Sequence, residues 1–329
     1  MFVRSSFLLA AATGLTRALS LYSLDDTYSP QNFFDNFDFF TDADPTHGFV
    51  KYVDRPTAEA NGLISQGSVA RMSADSSSIA SNGRASVRIS SKKAYTHGLF
   101  VADMTHMPSG CGTWPAFWLL GPNWPNQGEI DIIEGVNSQS SNLMTLHSSD
   151  QCSITDRAQT GQRTTSNCFV NAPGQYANQG CQVAANNGQS YGAGFNAVGG
   201  GGANGGGVYA TRWNSDGVQV WFFPRGNIPA DILANAPQPE LWGPPMADFG
   251  GACDIDAHFR EHRIVFNLTF CGDWAGNVWG SDPVCASRAN SCTDFVANNP
   301  LAFQQAYWEI NHLRKFSSPW VSLCGVAFD

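Results

Sequence analysis

Three segments of the sequence follow a strand-like pattern, and this feature most limits what the chain can fold into. They are "RASVRIS" at 84–90, "HRIVFNLTF" at 262–270 and the β-rich run "GVQVWFFPRG" at 217–226. In the first two, apolar and polar residues alternate with a period of two, as in a strand with one buried face. Glycine, proline and asparagine separate the segments. The pattern predicts an all-β fold, built as a sandwich of antiparallel sheets.

Helical patterns are scarce, and the one candidate is a short helix over 294–310, interrupted at Pro300. No break in composition divides the 329 residues, so we predict a single domain over 21–329. Within it, the stretch 152–207 is rich in glycine, asparagine, glutamine and serine. We interpret this stretch as a long surface insertion held by disulfides.

The N-terminus has the pattern of a secretory signal. Arg4 precedes the apolar run 7–12, and small residues follow up to Ser20. A short membrane anchor is the alternative, but the apolar run is too short to cross a bilayer. We therefore predict a signal peptide over 1–20, cleavage near Ser20 and a secreted, extracellular protein, with association with a cell wall left open.

The cysteines support the same compartment. All nine of them follow residue 20. In an oxidising compartment they predict up to four disulfides and one remaining thiol. A zinc site is disfavoured, because no CxxC or HxxxH spacing occurs. Eight paired cysteines allow 105 connectivities, and the sequence does not select one of them.

The charge of the chain excludes one class of partner. The formal net charge is −9, and removal of 1–20 would take away two arginines and no acid. Proteins that bind a phosphate backbone carry the opposite sign, so no nucleic-acid partner is expected. No segment after residue 20 is apolar enough for a membrane span, so no membrane partner is expected either.

The segment "GEIDIIEG" at 128–135 places three carboxylates in an apolar run. On a strand, Glu129 and Asp131 share one face, whereas Glu134 would point to the other because its spacing is odd. One bulged residue at Ile132 or Ile133 would return Glu134 to the face of the other two acids. The sequence therefore predicts a β-bulge here.

With the bulge, the two glutamates stand about 13 Å apart at Cα, at roughly 3.3 Å per residue. Their side chains can lean inward until the carboxyl groups are about 5–5.5 Å apart, the separation found in retaining glycosidases. Asp131, between them, can hold a proton or a hydrogen bond and separate their pKa values. The alternatives are a calcium site or a solvated acidic edge.

The neighbouring residues favour a sugar cleft. Trp114, Trp118 and Trp124 lie just upstream of the acids, and the flat apolar faces of sugar rings pack on indoles. Downstream, the alternation of "NLMTLHSS" places His147 on the polar side of an adjacent strand, where it could hydrogen-bond Asp131 or the nucleophile. Arg88 alternates with buried positions and is expected to face the cleft.

These stretches resemble glycoside hydrolase family 16, in its fungal laminarinase-type branch of endo-1,3(4)-β-glucanases. "GEIDIIEG" is similar to the family's bulged E-x-D-x-x-E signature. "FFDNFDFFTDADPTHGFVKYV", "GTWPAFWLLGPNWPNQGEIDIIEGVN" and "FCGDWAG" are similar to the fungal branch, and the resemblance covers about 21–329. It implies a β-jelly-roll sandwich with a concave cleft.

The resemblance also implies an activity: hydrolysis of internal β-1,3 or mixed β-1,3/1,4 glucan bonds, with retention of configuration. It makes Glu129 the nucleophile, Asp131 the helper and Glu134 the general acid/base. The spacing ExDxxE, unlike ExDxE, argues against strict mixed-linkage lichenases and xyloglucan enzymes. The family motifs and the residues near the acids together indicate the candidates for substrate binding: Trp114, Trp118, Trp124, Trp274, His147 and Arg88.

Two rival functions stay open on the same fold. A non-catalytic glucan-binding protein would lack the glutamates that this chain keeps. A transglycosylase would form the same covalent intermediate and pass it to another glucan. The expected partner is a β-glucan, the expected oligomeric state is a monomer, and no cofactor is required. Some relatives carry a structural calcium, for which Asp254 and Asp256 are the candidates here.

One further site is a modification site. Asn267, Leu268 and Thr269 form the N-glycosylation sequon of the chain. Asn267 lies in a predicted strand, on the face opposite Phe266 and Leu268. We therefore expect a glycan at Asn267.

Overall fold

The computed structural model describes residues 22–197 and 205–318. The predicted signal peptide over 1–20 and Cys324 lie outside the described residues. Two eight-stranded antiparallel sheets make up most of the fold, so the prediction of an all-β sandwich is confirmed. No helix in the described ranges is both long and apolar enough to cross a membrane.

Sheet I is the sheet on the far side of the sandwich from the acids. Its strands, in spatial order, are β17 (Ala247–Phe249), β16 (Gly217–Pro224), β15 (Gly207–Asn214), β8 (Gly98–His106), β20 (Tyr307–Ser317), β5 (Ala70–Ser73) and β4 (Ile64–Ser65), with β1 (Ser23–Tyr28) paired to β20.

Sheet II carries the acids. Its strands, in spatial order, are β13 (Gln162–Arg163), β14 (Cys181–Ala184), β11 (Leu143–His147), β10 (Glu129–Glu134), β9 (Thr113–Leu120), β19 (His262–Phe270), β7 (Arg88–Tyr95) and β2 (Phe37–Phe39).

Smaller elements complete the fold. Two small sheets pair β12 (Cys152–Ile154) with β18 (Gly251–Cys253), and β3 (Val50–Tyr52) with β6 (Arg84–Ser86). The α-helices are α1 (Arg55–Ala60), α2 (Gly192–Ala197), α3 (Ala230–Leu233), α4 (Ile255–His258), α5 (Pro283–Ala286) and α6 (Cys292–Asn298).

The core lies between the two sheets. Ile130 and Phe266 of sheet II and Trp308 of sheet I are fully buried in one cluster. The Phe266 ring meets the Trp308 ring edge-on at 5.5 Å between centroids. The Trp308 indole nitrogen also donates to the backbone oxygen of Asn267 at 3.1 Å. These contacts fix one face of sheet II inward, which leaves its other face for polar side chains.

Four disulfides tie loops to this frame, and all eight cysteines in the described ranges take part. The pairs are Cys111–Cys285, Cys152–Cys253, Cys168–Cys181 and Cys271–Cys292. Two of the pairs hold the stretch 152–207. That stretch is more than a surface loop, because it supplies β14, which pairs with β11 and extends sheet II.

The strand predictions at 217–226 and 262–270 are confirmed by β16 and β19. The helix expected over 294–310 is wrong in its second half. Helix α6 ends at Asn298, a short 3₁₀ turn follows, and Tyr307 begins the longest strand, β20. The aromatic and β-branched residues from Tyr307 onward join the centre of sheet I, where packing decides for a strand.

Candidate active site

Strand β10 contains the predicted bulge. Asp131 lies opposite Trp118 of β9, but the next paired residue, Ile133, lies opposite Phe117, so Ile132 is extra. Ile132 and Ile133 are both fully buried. Because the two isoleucines enter the core in succession, Glu134 shifts back to the face that carries the other acids. We call Glu129, Asp131 and Glu134 the acid row.

The bulge is held by a residue that sequence reasoning missed. The Asn142 side chain is fully buried; its oxygen accepts from the backbone nitrogen of Glu134 at 2.9 Å. Its nitrogen donates to the backbone oxygen of Ile132 at 2.7 Å. One amide thereby serves two backbone groups where the strand pairing is interrupted. The position of Asn142 relative to the E-x-D-x-x-E signature gives no indication of this contact in the sequence.

His147 lies beside the acid row as predicted. It pairs in register with Glu129 across β10 and β11. Its Nε2 atom lies 3.2 Å from Oδ2 of Asp131, and both side chains are almost fully buried. The nearest ligand atoms of Glu129, Asp131 and His147 all lie within 4.8 Å of one another. The contact between Asp131 and His147 fixes the centre of the row.

Glu134 is held from the other side. The Trp114 indole nitrogen donates to Oε1 of Glu134 at 2.8 Å. Trp114 in turn meets the Trp274 ring edge-on, with 5.7 Å between centroids. Trp274 lies in the one-turn segment Gly272–Gly276 directly after β19. The two tryptophans therefore form a wall next to Glu134.

The opposite part of the face contains Trp118, Arg88 and Asn267. The Trp118 indole nitrogen donates to Oδ1 of Asn267 at 2.8 Å. The Arg88 guanidinium lies 5.0 Å from the Trp118 ring centroid and 4.4 Å from that of Phe40. These contacts hold the indole beside the acid row, since Trp118 and Asp131 are opposite each other in register.

Trp124 has a different environment from the other tryptophans. It stands 42% exposed on the loop between β9 and β10. An indole in that position offers its ring to solvent, rather than packing into the wall that the other tryptophans form. The structure thus places Trp114, Trp118, Trp274, His147 and Arg88 around the acid row, and Trp124 on the exposed loop that precedes β10.

The expected glycan at Asn267 does not fit the structure. Asn267 is 7% exposed. Its amide nitrogen donates to the Tyr52 hydroxyl at 3.3 Å, while its oxygen accepts from Trp118. A glycan on that nitrogen would break both the packing and the hydrogen bond. The alternation of apolar and polar residues predicts the face of Asn267 correctly, but that face is the buried centre of sheet II.

The two acids proposed for calcium have other partners. An Asp254 oxygen accepts from the backbone nitrogen of Ala257 and caps α4. An Asp256 oxygen lies 2.7 Å from Nε2 of His97. The two carboxylates therefore serve a helix end and an ion pair, which gives the calcium hypothesis no support.

The acid row retains protons at neutral pH. Burial and the neighbouring Asp131 carboxylate raise the pKa of Glu129 to about 8. Burial and the Glu134 charge raise the pKa of Asp131 well above its ordinary value, against an opposing hydrogen bond with Glu129. Burial raises the pKa of Glu134, although the Trp114 hydrogen bond works in the other direction. A row that shares protons can keep one carboxyl protonated as an acid while another is ionised.

The raised pKa of Glu129 predicts a pH-dependent effect on stability. The unfolded chain ionises this group near 4.5 and the folded protein near 8, so the folded state binds more protons between these values. Stability therefore falls as the pH rises through this window. We expect Glu129→Gln to raise the melting temperature at pH 8 by roughly 5–10 °C and to leave it nearly unchanged at pH 4. An equal shift at both pH values, measured by thermal denaturation, would contradict the burial cause.

A β-sandwich that presents two glutamates and several indoles on one sheet face has the composition of a glycoside hydrolase site. Residues 37–316 match the family described as "XgeA-like, catalytic GH16 domain". The chain belongs to glycoside hydrolase family 16, and its sandwich is the jelly roll of that family's laminarinases.

Several known proteins are similar to this chain. An endo-1,3(4)-β-glucanase of Arthroderma benhamiae is 46% identical over 301 residues, which are 90% of this chain and 65% of that protein. Laminarinase 16A of Phanerochaete chrysosporium, with 6-O-glucosyl-laminaritriose in donor and acceptor sites, is 44% identical with a TM-score of 0.83, covering 91% of this chain and 100% of that one.

A second solved structure is that of an elongating family 16 β-1,3-glucosyltransferase. It is 44% identical, with a TM-score of 0.82, and covers 90% of this chain and 100% of that one. The curated relatives are longer proteins, of which this chain spans 41–68%. The family is therefore shown for the domain that this chain shares with its relatives.

Proposed function

We propose that the protein is a secreted endo-β-glucanase. It hydrolyses internal β-1,3 bonds, and mixed β-1,3/1,4 bonds, of a neutral glucan by a retaining mechanism. The bulge in β10 carries this proposal, because it turns Glu134 to the side of Glu129 and Asp131. A regular strand would leave one glutamate in the core and no pair for a double displacement.

The proposed roles follow from the surroundings of each acid. Glu129 attacks the anomeric carbon and the glycosidic bond breaks, while Glu134 gives its proton to the departing oxygen. In the second step Glu134 takes a proton from water, whose oxygen displaces Glu129 from the sugar. Two inversions at one carbon retain its configuration. No metal or organic cofactor takes part in these steps.

The environment of Glu134 supports its change of role. Glu129 must be ionised when it attacks, and burial favours the protonated form of Glu134 at that moment. Once Glu129 is esterified, its charge is gone, and Glu134 becomes easier to ionise. The Trp114 hydrogen bond then stabilises the Glu134 carboxylate as it takes a proton from water. Asp131, held by His147, stays beside Glu129 through both steps.

The proposed substrate contacts are those of the sheet II face. Trp114, Trp118 and Trp274 provide ring surfaces, and His147 and Arg88 provide hydrogen-bond donors. Trp124 is proposed as an outer contact. Secretion is proposed from the signal pattern and the four disulfides, and a monomer from the absence of any sequence signal for assembly.

One observation favours a second function. The elongating glucosyltransferase has the same fold and the same degree of identity as the laminarinase. A transferase would use the same covalent intermediate but would pass the sugar to another glucan rather than to water. The two functions differ in the second step alone.

Product analysis on a panel of glucans tests both functions. The panel contains laminarin, a barley-type mixed-linkage glucan, a β-1,4-glucan and a β-1,6-glucan. We expect rapid shortening of the first two with few new reducing ends at early times, as internal cleavage requires. Products longer than the starting oligosaccharide would favour the transferase. No change in any of the four glucans would overturn the proposed function.

A further inference from the structure

Gly180 lies directly behind the imidazole ring of His147. It comes just before β14, in the stretch 152–207. Strands β11 and β14 pair Leu146 with Cys181, so Gly180 lies opposite His147 in the same register. Gly180 is buried, and its φ angle is +68°. The stretch therefore brings its backbone up to the centre of the acid row, in a contact that the proposed hydrolysis does not use.

No side chain fits at Gly180. A Cβ atom there would lie 2.8 Å from Nδ1 of His147, 2.5 Å from the backbone oxygen of Leu146 and 2.9 Å from Cγ2 of Thr145. Heavy atoms in good packing contact are about 3.5–4.0 Å apart, so each of these distances is too short. Glycine is therefore required here by the lack of space as well as by the left-handed backbone.

The His147 ring lies between Gly180 and Asp131. Its Nε2 atom is 3.2 Å from Oδ2 of Asp131. Its Nδ1 atom is buried and has no hydrogen-bond partner within 22–197 and 205–318. In many functional histidines a hydrogen bond at the second nitrogen sets the orientation of the ring. Here the ring packs against the Gly180 backbone instead, and this packing limits how far it can turn.

Gly180 is itself held by hydrogen bonds within the stretch 152–207. Its backbone oxygen accepts from the Thr165 hydroxyl at 2.8 Å and from Nε2 of Gln175 at 2.9 Å. The Gln175 side chain also bonds both backbone groups of Asn167: Nε2 donates to the oxygen at 2.9 Å, and Oε1 accepts from the nitrogen at 3.2 Å. One glutamine thus ties two parts of the stretch to the glycine.

The same stretch is anchored to the end of β11, directly after His147. The backbone nitrogen of Ser148 donates to the oxygen of Cys168 at 2.8 Å, and its oxygen accepts from the nitrogen of Val170 at 3.1 Å. The disulfide Cys168–Cys181 joins this segment to the first residue of β14. The backbone around His147 is therefore fixed both along its own strand and from the neighbouring one.

We propose that Gly180 is a positioning residue, through which the stretch 152–207 holds the His147 ring against Asp131 and so fixes the centre of the acid row. The inference rests on the proposed function, because it relates this contact to catalysis by Glu129. A side chain at Gly180 would force the ring out of its place beside Asp131. The stretch that pins the surface by two disulfides would then also tune the reacting acids.

The consequence for Glu129 is electrostatic. Burial and the Asp131 charge raise the pKa of Glu129, and the His147 charge works in the opposite direction. The other charged groups that act on Glu129 are Glu134, which also raises its pKa, and Arg88, which lowers it. Because neither belongs to the stretch 152–207, a change at Gly180 acts on this balance through His147. A ring held in place makes Glu129 easier to ionise, as a nucleophile requires.

Two alanine variants separate the contact with His147 from backbone strain. Gly180→Ala adds a Cβ that meets the ring, at a residue with a left-handed backbone. Gly174→Ala is the matched control, since Gly174 lies in the same stretch with a φ angle of +80° and a Cβ there would meet nothing within 4 Å. Both variants are also made in a His147→Ala background, in which the ring is absent. The measurements are kcat/KM on laminarin and the carbon-13 NMR titration of the Glu129 carboxyl group.

We expect Gly180→Ala to lower kcat/KM about tenfold and Glu129 to titrate at a higher pH than in the wild type, where its pKa is about 8. Gly174→Ala should change kcat/KM less than about twofold and leave the titration unchanged. In the His147→Ala background, Gly180→Ala should have no further effect on either quantity. Equal effects of Gly180→Ala in both backgrounds, or equal effects of the two glycine variants, would overturn the assignment.

Gln175→Met carries the test if Gly180→Ala does not fold. Methionine keeps the length of the side chain but cannot donate the hydrogen bond that holds Gly180, so the same rise in the Glu129 titration is expected, to a smaller extent. An unchanged titration in this variant would also overturn the assignment. Wild-type protein that cleaved no β-glucan would instead defeat the proposed function, and the Glu129 titration would still test the role of Gly180.

Discussion

Glu129→Ala is expected to lower the rate of β-glucan cleavage by at least about 10⁴-fold, the scale of losing a nucleophile that acts as part of a unit. Neither neighbouring acid can replace it, because Asp131 is held by His147 and Glu134 lies on the far side of the bulge. The measurement is the initial rate of reducing-end release from laminarin. Glu59→Gln is the matched control, since Glu59 pairs with Arg55 on the surface and should leave the rate unchanged.

A chemical rescue separates loss of the nucleophile from loss of the fold. Azide can enter the space left by the side chain in Glu129→Ala and attack the anomeric carbon directly. One displacement on a β-glycoside then gives an α-glycosyl azide, and turnover is partly restored on a substrate with a good leaving group. Formation of the β-glycosyl azide by this variant would show that Glu129 is not the nucleophile.

Glu134→Gln is expected to lower the rate on natural glucan by about 10²–10⁴-fold, the usual contribution of general acid–base catalysis. The loss should depend on the leaving group, because a dinitrophenyl group departs without a proton. With such a substrate the first step should remain fast and the glycosyl-enzyme should accumulate, since Glu134 is also the base for the second step.

Azide again distinguishes the roles. In Glu134→Gln it attacks the accumulated glycosyl-enzyme, so two displacements occur and the product is the β-glycosyl azide. Equal losses on laminarin and on the dinitrophenyl glycoside would argue that Glu134 does not donate the proton. An α-glycosyl azide from this variant would show that the roles of Glu129 and Glu134 are reversed.

The bulge could be predicted because side chains alternate strictly between the two faces of a regular strand. Glu129 and Asp131 are two residues apart and Glu134 is three further on, so a shared face requires an extra residue. The position of that residue was limited to Ile132 or Ile133, and the pairing with β9 places it there. Strands β16 and β19 could also be predicted, since their β-rich composition is a local property of the sequence.

Other features depend on contacts that sequence does not carry. Asn142 braces the bulge from the turn before β11, which is a tertiary contact. Tyr307 begins a strand, although the local pattern predicts a helix over 294–310, because β20 gains its partners from β8, β5 and β1. The sequon at Asn267 describes a local motif, whereas its burial against Trp118 depends on the whole sheet.

The central claim is that Glu129 and Glu134 work from one face as nucleophile and acid/base, which requires a retained configuration. Its most direct test is the anomeric form of the product in the first minutes of cleavage of a β-1,3-gluco-oligosaccharide, followed by proton NMR before mutarotation. The account predicts that the β-anomer appears first and the α-anomer later. Initial release of the α-anomer would mean a single displacement by water, and would contradict the account.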